Sequence, residues 1–153
     1  MPERKTIERA RKDAREGKSP GTQAGEFVRE EIDRVREGKH GVRSTKQAIA
    51  IGLSKARRAG VKLPPPAKGK TPEKTRKSAA SAYRKGQRGD RISPKRSRAS
   101  VKALKREGHG GVSHAALSRQ ARSVAQRRGA RARSASAEKA AQTRSQRLRR
   151  RSD

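Results

Sequence analysis

The chain has 153 residues, with 44 Lys and Arg against 14 Asp and Glu, a formal net charge of +30. Leu, Ile, Val and Phe together number 18, about 12% of the chain, below the roughly 20% at which high net charge leaves a sequence unable to build an ordinary core. Such a composition excludes one cooperative core spanning the whole chain and predicts helices that pack weakly in pairs, with tails that order on binding.

Glycine and proline punctuate the sequence at short intervals, and the pattern between them is helical. A charged N-terminal helix is expected from about Glu3 to Glu16, opened by Pro2 and closed by Gly17. A second is expected from Thr22 to Glu37, with Ala24, Phe27, Val28, Ile32 and Val35 on one apolar face. Its carboxylates (Glu26, Glu30, Glu31, Asp33, Glu37) interleave with Arg29, Arg34 and Arg36, which reads as a salt-laced helix surface. The third helix starts at Ser44, where Ser44 and Gln47 fit a capping box. Ile49, Leu53 and Ala56 line its face, and Gly60 stops it. These two helices should pair around the Gly38–Gly41 loop. Pro64-Pro65-Pro66 then makes a stiff extended linker.

The second half continues in the same style with less apolar content. Thr71-Pro72 should open a helix from Glu73 to about Lys85, and Ser93-Pro94 another to about Glu107. Each places a cap residue before a proline at the first helical position. Ser113 opens a further helix carrying Leu117, Ala121, Val124 and Ala125. From Gly129 onward the chain is Arg, Ala, Ser and Gln, a basic tail with little to bury. The fold class expected is mainly α: short helices in helix–Gly loop–helix pairs, with a disordered basic linker and C-terminal tail. The division expected is a charged helix (1–20), a helical hairpin (21–62), a Pro/Lys-rich linker with a short helix (63–92), a second helical pair (93–129) and the tail (130–153). Arg36-Glu37-Gly38-Lys39-His40-Gly41-Val42 has an echo in Arg106-Glu107-Gly108-His109-Gly110-Gly111-Val112. The echo reads either as duplication of a helix–Gly loop–helix unit or as chance similarity of Arg/Glu/Gly-rich helix ends.

Several chemistries find no support in the residues. There is no cysteine, so disulfides, thiolate catalysis and Cys-based zinc sites are excluded. The histidines (His40, His109, His114) lack metal-ligand spacing, and no phosphate-binding Gly-rich loop follows a strand. No cofactor, small-molecule substrate or enzymatic activity is expected. No run of about 18 apolar residues exists and no apolar signal segment stands at the start; no membrane partner and a cytoplasmic, nucleoid location are expected.

The positive signal is charge. Residues 41–153 hold 33 basic and 5 acidic residues, whereas residues 1–40 hold 11 and 9. A solvated surface mixes signs, so the excess calls for a polyanionic partner. Candidate phosphate-binding residues are Arg43, Lys46, Lys55, Arg57 and Arg58 around the third helix, and Lys95 and Arg96 after Ser93-Pro94. Arg119, Arg122, Arg127 and Arg128 follow, with Arg144, Arg147, Arg149, Arg150 and Arg151 in the tail. Arginine can grip phosphate bidentately at any accessible pH. The expected function is largely sequence-nonspecific DNA binding, nucleoid-associated or compacting. RNA or ribosome binding stands as an alternative, and a structural or stress protein for other anionic partners as a second. With Phe27 and Tyr83 the only aromatic residues, recognition of single strands by base stacking has little to work with.

The stretch Gln47-Ala48-Ile49-Ala50-Ile51-Gly52-Leu53-Ser54-Lys55-Ala56-Arg57 resembles the core of an uncharacterised bacterial family of small Lys/Arg-rich proteins, a domain of unknown function. The resemblance covers roughly residues 24–62 and implies a short helical module of bacterial origin. It brings no activity and no site residue. The basic C-terminal part is similar in composition to linker-histone-like tails, and Ser93-Pro94-Lys95-Arg96 resembles their Ser-Pro-Lys-Lys/Arg elements.

Overall fold

The computed structural model describes the backbone of residues 1–152 and the side chains of residues 1–149. Every regular element among them is helical. In chain order these are α1 (Arg4–Arg15), α2 (Pro20–Arg36), α3 (Thr45–Arg58), α4 (Glu73–Gln87), α5 (Pro94–Leu104), a 3-10 turn (Gly110–Val112) and α6 (His114–Ser152).

Local chemistry accounts for the ends. Ser19 caps α2 by accepting from the Thr22 amide, and Pro20 occupies the first helical position. Helix α2 therefore starts two residues before the expected Thr22. The signal is the same Ser-Pro pair that opens α5, where Ser93 accepts from the Arg96 amide. Helix α2 stops at Gly38, whose φ of +72° is a conformation open to glycine; Lys39 N–H then reaches back to the Arg34 carbonyl at 3.0 Å. At α3, Ser44 accepts from the Gln47 amide at 3.2 Å, while the Gln47 side chain accepts from the Arg43 amide at 2.7 Å. The expected box is thus closed one residue outward. At α4 the expected Thr71 cap does not form: Pro72 is itself the capping position and offers no side-chain oxygen. Helix α5 ends at Leu104 rather than Glu107.

Helices α1, α2, α3 and α4 pack in sequence, each on the next. Two small apolar clusters hold them. One joins Ala10, Ala24, Phe27, Ala56 and Val61; the other joins Val35, Val42, Ala48 and Val112. The contact face of α3 keeps Ala56 of the expected Ile49/Leu53/Ala56 stripe, with Leu53 packed at its margin. Its buried centre is Thr45, Ala48, Gly52 and Ala56, small residues that let two backbones approach. A Cβ on Gly52 would lie 2.6 Å from Val28 Cα, and one on Gly86 would lie 1.8 Å from the Arg57 carbonyl oxygen. The chain has few large apolar side chains and substitutes proximity for bulk. The region read as linker plus short helix therefore docks α4 firmly on α3.

The second half is joined differently from the expected helical pair. Among the described residues, helix α5 packs on no other helix. The loop after it docks instead, against the loop between α2 and α3. Gly41 N–H donates to the Leu104 carbonyl (3.0 Å), Val42 N–H to the Gly108 carbonyl (2.8 Å) and Thr45 Oγ1 to the Gly111 carbonyl (2.6 Å). The two echoing sequences thus lie against one another, with Val42 and Val112 in one cluster. The stretch expected as a disordered tail is helical to Ser152. Ala, Arg and Gln are strong helix formers, and no proline interrupts them.

Candidate nucleic-acid interface

The charged residues fall into two populations, one turned inward and one outward. The inward set centres on Glu30 and Glu31 of α2. Glu31 has no exposure at all, and Glu30 has 4%. Lys55 Nζ lies 2.5 Å from Glu31 Oε2 and 3.8 Å from Glu30 Oε1. His40 is buried with Nε2 3.3 Å from Glu31 Oε1 and Nδ1 3.2 Å from the Gly41 carbonyl oxygen. Arg34 Nε approaches Glu30 at 3.4 Å, and the Glu3 amide donates to Glu30 at 3.1 Å. The expected salt-laced surface is therefore in part a buried one. Its signal was present: residues 24, 27, 31 and 35 are spaced 3, 4 and 4 apart, so Glu31 sits on the core face between Phe27 and Val35. Buried carboxylates persist where cations and hydrogen bonds offset their lost hydration.

This inward set claims two of the candidate phosphate-binding residues. Lys55 is held by Glu30 and Glu31. Arg57 is 6% exposed and donates to the Leu63 and Pro64 carbonyls at 3.1 and 3.2 Å. Burial lowers its pKa from the ordinary value, yet the guanidinium remains charged. The close approach of α2 to α3 at Gly52 brings the two carboxylates within reach of Lys55. Lys55, half-buried, and Arg57, buried, are thus both engaged within the body, as a counterion and a strut.

The remaining candidates face outward. Lys46, Lys95, Arg96, Arg119, Arg122, Arg127, Arg128, Arg144 and Arg149 are exposed, and Arg58 is half-buried. Arg43 is exposed and pairs with Glu107 at 3.1 Å. Arg147 pairs with Glu16 at 3.1 Å, and Lys18 approaches the same carboxylate at 3.0 Å. Hydrogen bonds from Lys18 and Arg147 hold Glu16 below its ordinary pKa of 4.5. The side chains of Arg150 and Arg151 lie outside the described residues. The candidates do not form one patch; they are dispersed over the two ends of α3, the first turn of α5 and the length of α6.

Helix α6 gathers the largest share. Residues 114–152 carry 12 basic residues and one acidic residue, Glu138. From Arg119 to Arg149 no described residue is buried. The helix has a single break at Gly129, with φ +72° and ψ +164°. Arg133 Nη1 spans it to the Ala125 carbonyl at 2.8 Å, and Arg128 bonds to Ser136. The first turns touch the body through α3 and the 3-10 turn, and near the far end Arg147 reaches Glu16. Between these contacts the helix is mostly polar and exposed, a pattern that isolated helices support poorly without a partner.

Among the described residues no helix is long and apolar enough to cross a membrane. The model of a family of unknown function, DUF6496, matches residues 15–68. No curated protein and no solved structure matches the chain. The matched stretch is thus similar to an uncharacterised domain. It holds α2, α3 and the buried Glu30–Glu31–Lys55–His40 cluster, and it stops well before α6.

Proposed function

We propose that the chain is a non-enzymatic, largely sequence-nonspecific DNA-binding protein, nucleoid-associated or DNA-compacting, that acts through Lys and Arg contacts to phosphate. The observation that carries this reading is α6: a long exposed helix with 12 basic residues and one acidic residue and no apolar face. Duplex DNA supplies the missing counter-charge at one phosphate per roughly 1.7 Å of axis, and binding releases its condensed cations. Helices α1 to α4 serve as the scaffold that carries α6. Lys46, Lys95 and Arg96 extend the contact surface, and Lys55 and Arg57 take no part.

The test is titration of purified, nuclease-treated protein onto matched duplex DNA and structured RNA at several salt concentrations. Engagement of about 6–10 phosphates predicts a loss of about 10³–10⁵ in DNA affinity between 50 and 200 mM salt. A clear preference for RNA at physiological salt would replace this reading with an RNA- or ribosome-binding one. Weak, salt-insensitive binding to both would overturn it.

A further inference from the structure

Helix α4 carries most of its cations on one side. At 3.6 residues per turn, Lys74, Lys77, Arg84, Lys85 and Arg88 fall within an arc of about 100°. Ser81 is the one other residue in that arc. Buried Ala79 and Ala82 and half-buried Gly86 lie on the side turned to α3. Glu73 stands just outside the arc, and Arg76 takes both of its carboxylate oxygens, at 2.7 and 2.8 Å. Arg88 pairs with Asp90 at 3.2 Å, an exposed contact of a kind worth little in water. Lys74, Lys77, Arg84 and Lys85 close no ion pair among the described residues. The first three are exposed and Lys85 is half-buried. The outer side of α1 shows the ordinary solvated pattern: Glu8 lies among Arg4, Lys5 and Lys12 and pairs with Arg4 at 3.3 Å. The stripe on α4 has no such internal counter-charge.

We propose, on the basis of the DNA reading above, that the outward face of α4 is a second phosphate-binding surface for duplex DNA, with these five cations laid along one phosphate strand and the Ser81 hydroxyl donating among them. From Lys74 to Arg88 the stripe runs about 21 Å at 1.5 Å per residue. That is the axial span of about six phosphates of one strand. Cations on one side alone suit a strand met from outside. Tyr83, the one aromatic residue of α4, lies about 150° from the centre of the stripe, so the contact offers no stacking on bases and reads phosphate only. The surface is also held in place. A Cβ on Gly86 would stand 1.8 Å from the Arg57 carbonyl oxygen, and Gln87 Nε2 donates to the Gly60 carbonyl at 3.2 Å. Docked this closely on α3, the helix presents its cations without having to be ordered by the partner. Among the described residues α4 and α6 do not pack on one another, so this surface is separate from α6 and adds to it.

The full chain is tested by fluorescence anisotropy on one duplex across a salt series, with three variants checked for helix content by circular dichroism. The first combines Lys74→Gln, Lys77→Gln, Arg84→Gln and Lys85→Gln. If all four side chains hold phosphates, the log–log salt slope of DNA binding falls by about 3.6. The second removes the same charge from α1, through Lys5→Gln, Arg11→Gln, Lys12→Gln and Arg15→Gln, and is expected to change the slope by less than about 1. The third combines Lys74→Arg, Lys77→Arg, Arg84→Lys and Lys85→Arg, which keeps every charge, and is expected to retain the wild-type slope. A fall of less than about 1 for the first variant, or an equal fall for the first and second, overturns the assignment of α4 and leaves the DNA reading standing. A fall for the third as large as for the first shows that the effect is one of helix structure, and overturns it too. Absence of salt-sensitive DNA binding by the wild type sinks both proposals.

Discussion

Residues 1–40 and residues 41–153 use the same cationic side chains to opposite ends. In the first region, six of the 11 Lys and Arg residues close ion pairs. In the second, 31 basic residues lie between Arg43 and Arg149. Among the described residues five of them pair, and two of these, Lys55 and Arg147, do so with carboxylates of the first region. The difference is one of neighbourhood rather than residue type. An arginine within reach of a carboxylate becomes part of the scaffold; one without it keeps its full field in solvent. The buried Glu31 and the exposed α6 are the extremes of this contrast.

The contrast is broken or sharpened by removing charge from each side. Glu31→Ala leaves Lys55 and His40 facing a buried void, and is expected to cost about 3–5 kcal/mol in urea unfolding. Arg144→Gln, an equal loss of charge on α6, should stay within about 0.5 kcal/mol. Similar losses for the two would erase the distinction. The triple change Arg131→Gln, Arg144→Gln and Arg149→Gln should reduce the log–log salt slope of DNA binding by about 2.7, and affinity at 0.15 M salt by roughly 10². Lys55→Gln should leave that slope unchanged in whatever fraction remains folded. Gly52→Ala pushes a methyl toward the Val28 backbone, 2.6 Å away, and should cost about 1–3 kcal/mol by thermal melting, with DNA binding by the folded fraction retained.

The smallest effect concerns pH. The Glu16 pKa is depressed below 4.5, so the stabilisation it gives the Arg147 contact is complete above that ordinary value. It is lost as pH falls through the folded value. Spin labels on cysteines introduced at Gly21 and Ser145 should report a fixed separation at neutral pH and a longer, broader one in acid. An unchanged distribution would show that other contacts hold the end of α6.

Much of the scaffold is legible in the sequence because its punctuation is local. Gly17, Gly38 and Gly60 stop helices, and Ser44 and Ser93 start them, through hydrogen bonds within a few residues. The Ser19-Pro20 start carries the same signal, although the apolar pattern begins only at Ala24. Partner choice is less local. The α3 face turned on whether α2 would meet bulky residues or small ones, and Gly52 decides that only when Val28 is opposite. Glu30 and Glu31 looked like surface charges because their burial depends on Lys55, more than 20 residues away. On the candidate site, the charge asymmetry was readable by counting, whereas the withdrawal of Lys55 and Arg57 was not. The order of the last segment was also hidden: its composition suits a solvated coil and a solvated helix equally, and alanine content tips the balance.

The close backbone approaches at Gly41, Gly52, Gly86 and Gly111 also shape how the protein responds to temperature. Cohesion that depends on adjacent main chains, hydrogen bonds and ion pairs buries little hydrocarbon. Hydration of newly exposed apolar surface is what raises heat capacity on unfolding, and exposed polar groups lower it. The heat-capacity increment should fall below the usual 12–15 cal/mol/K per residue, giving a shallow stability curve. A scaffold of this kind changes little in stability between cold and warm conditions, and its denaturant sensitivity should be correspondingly low.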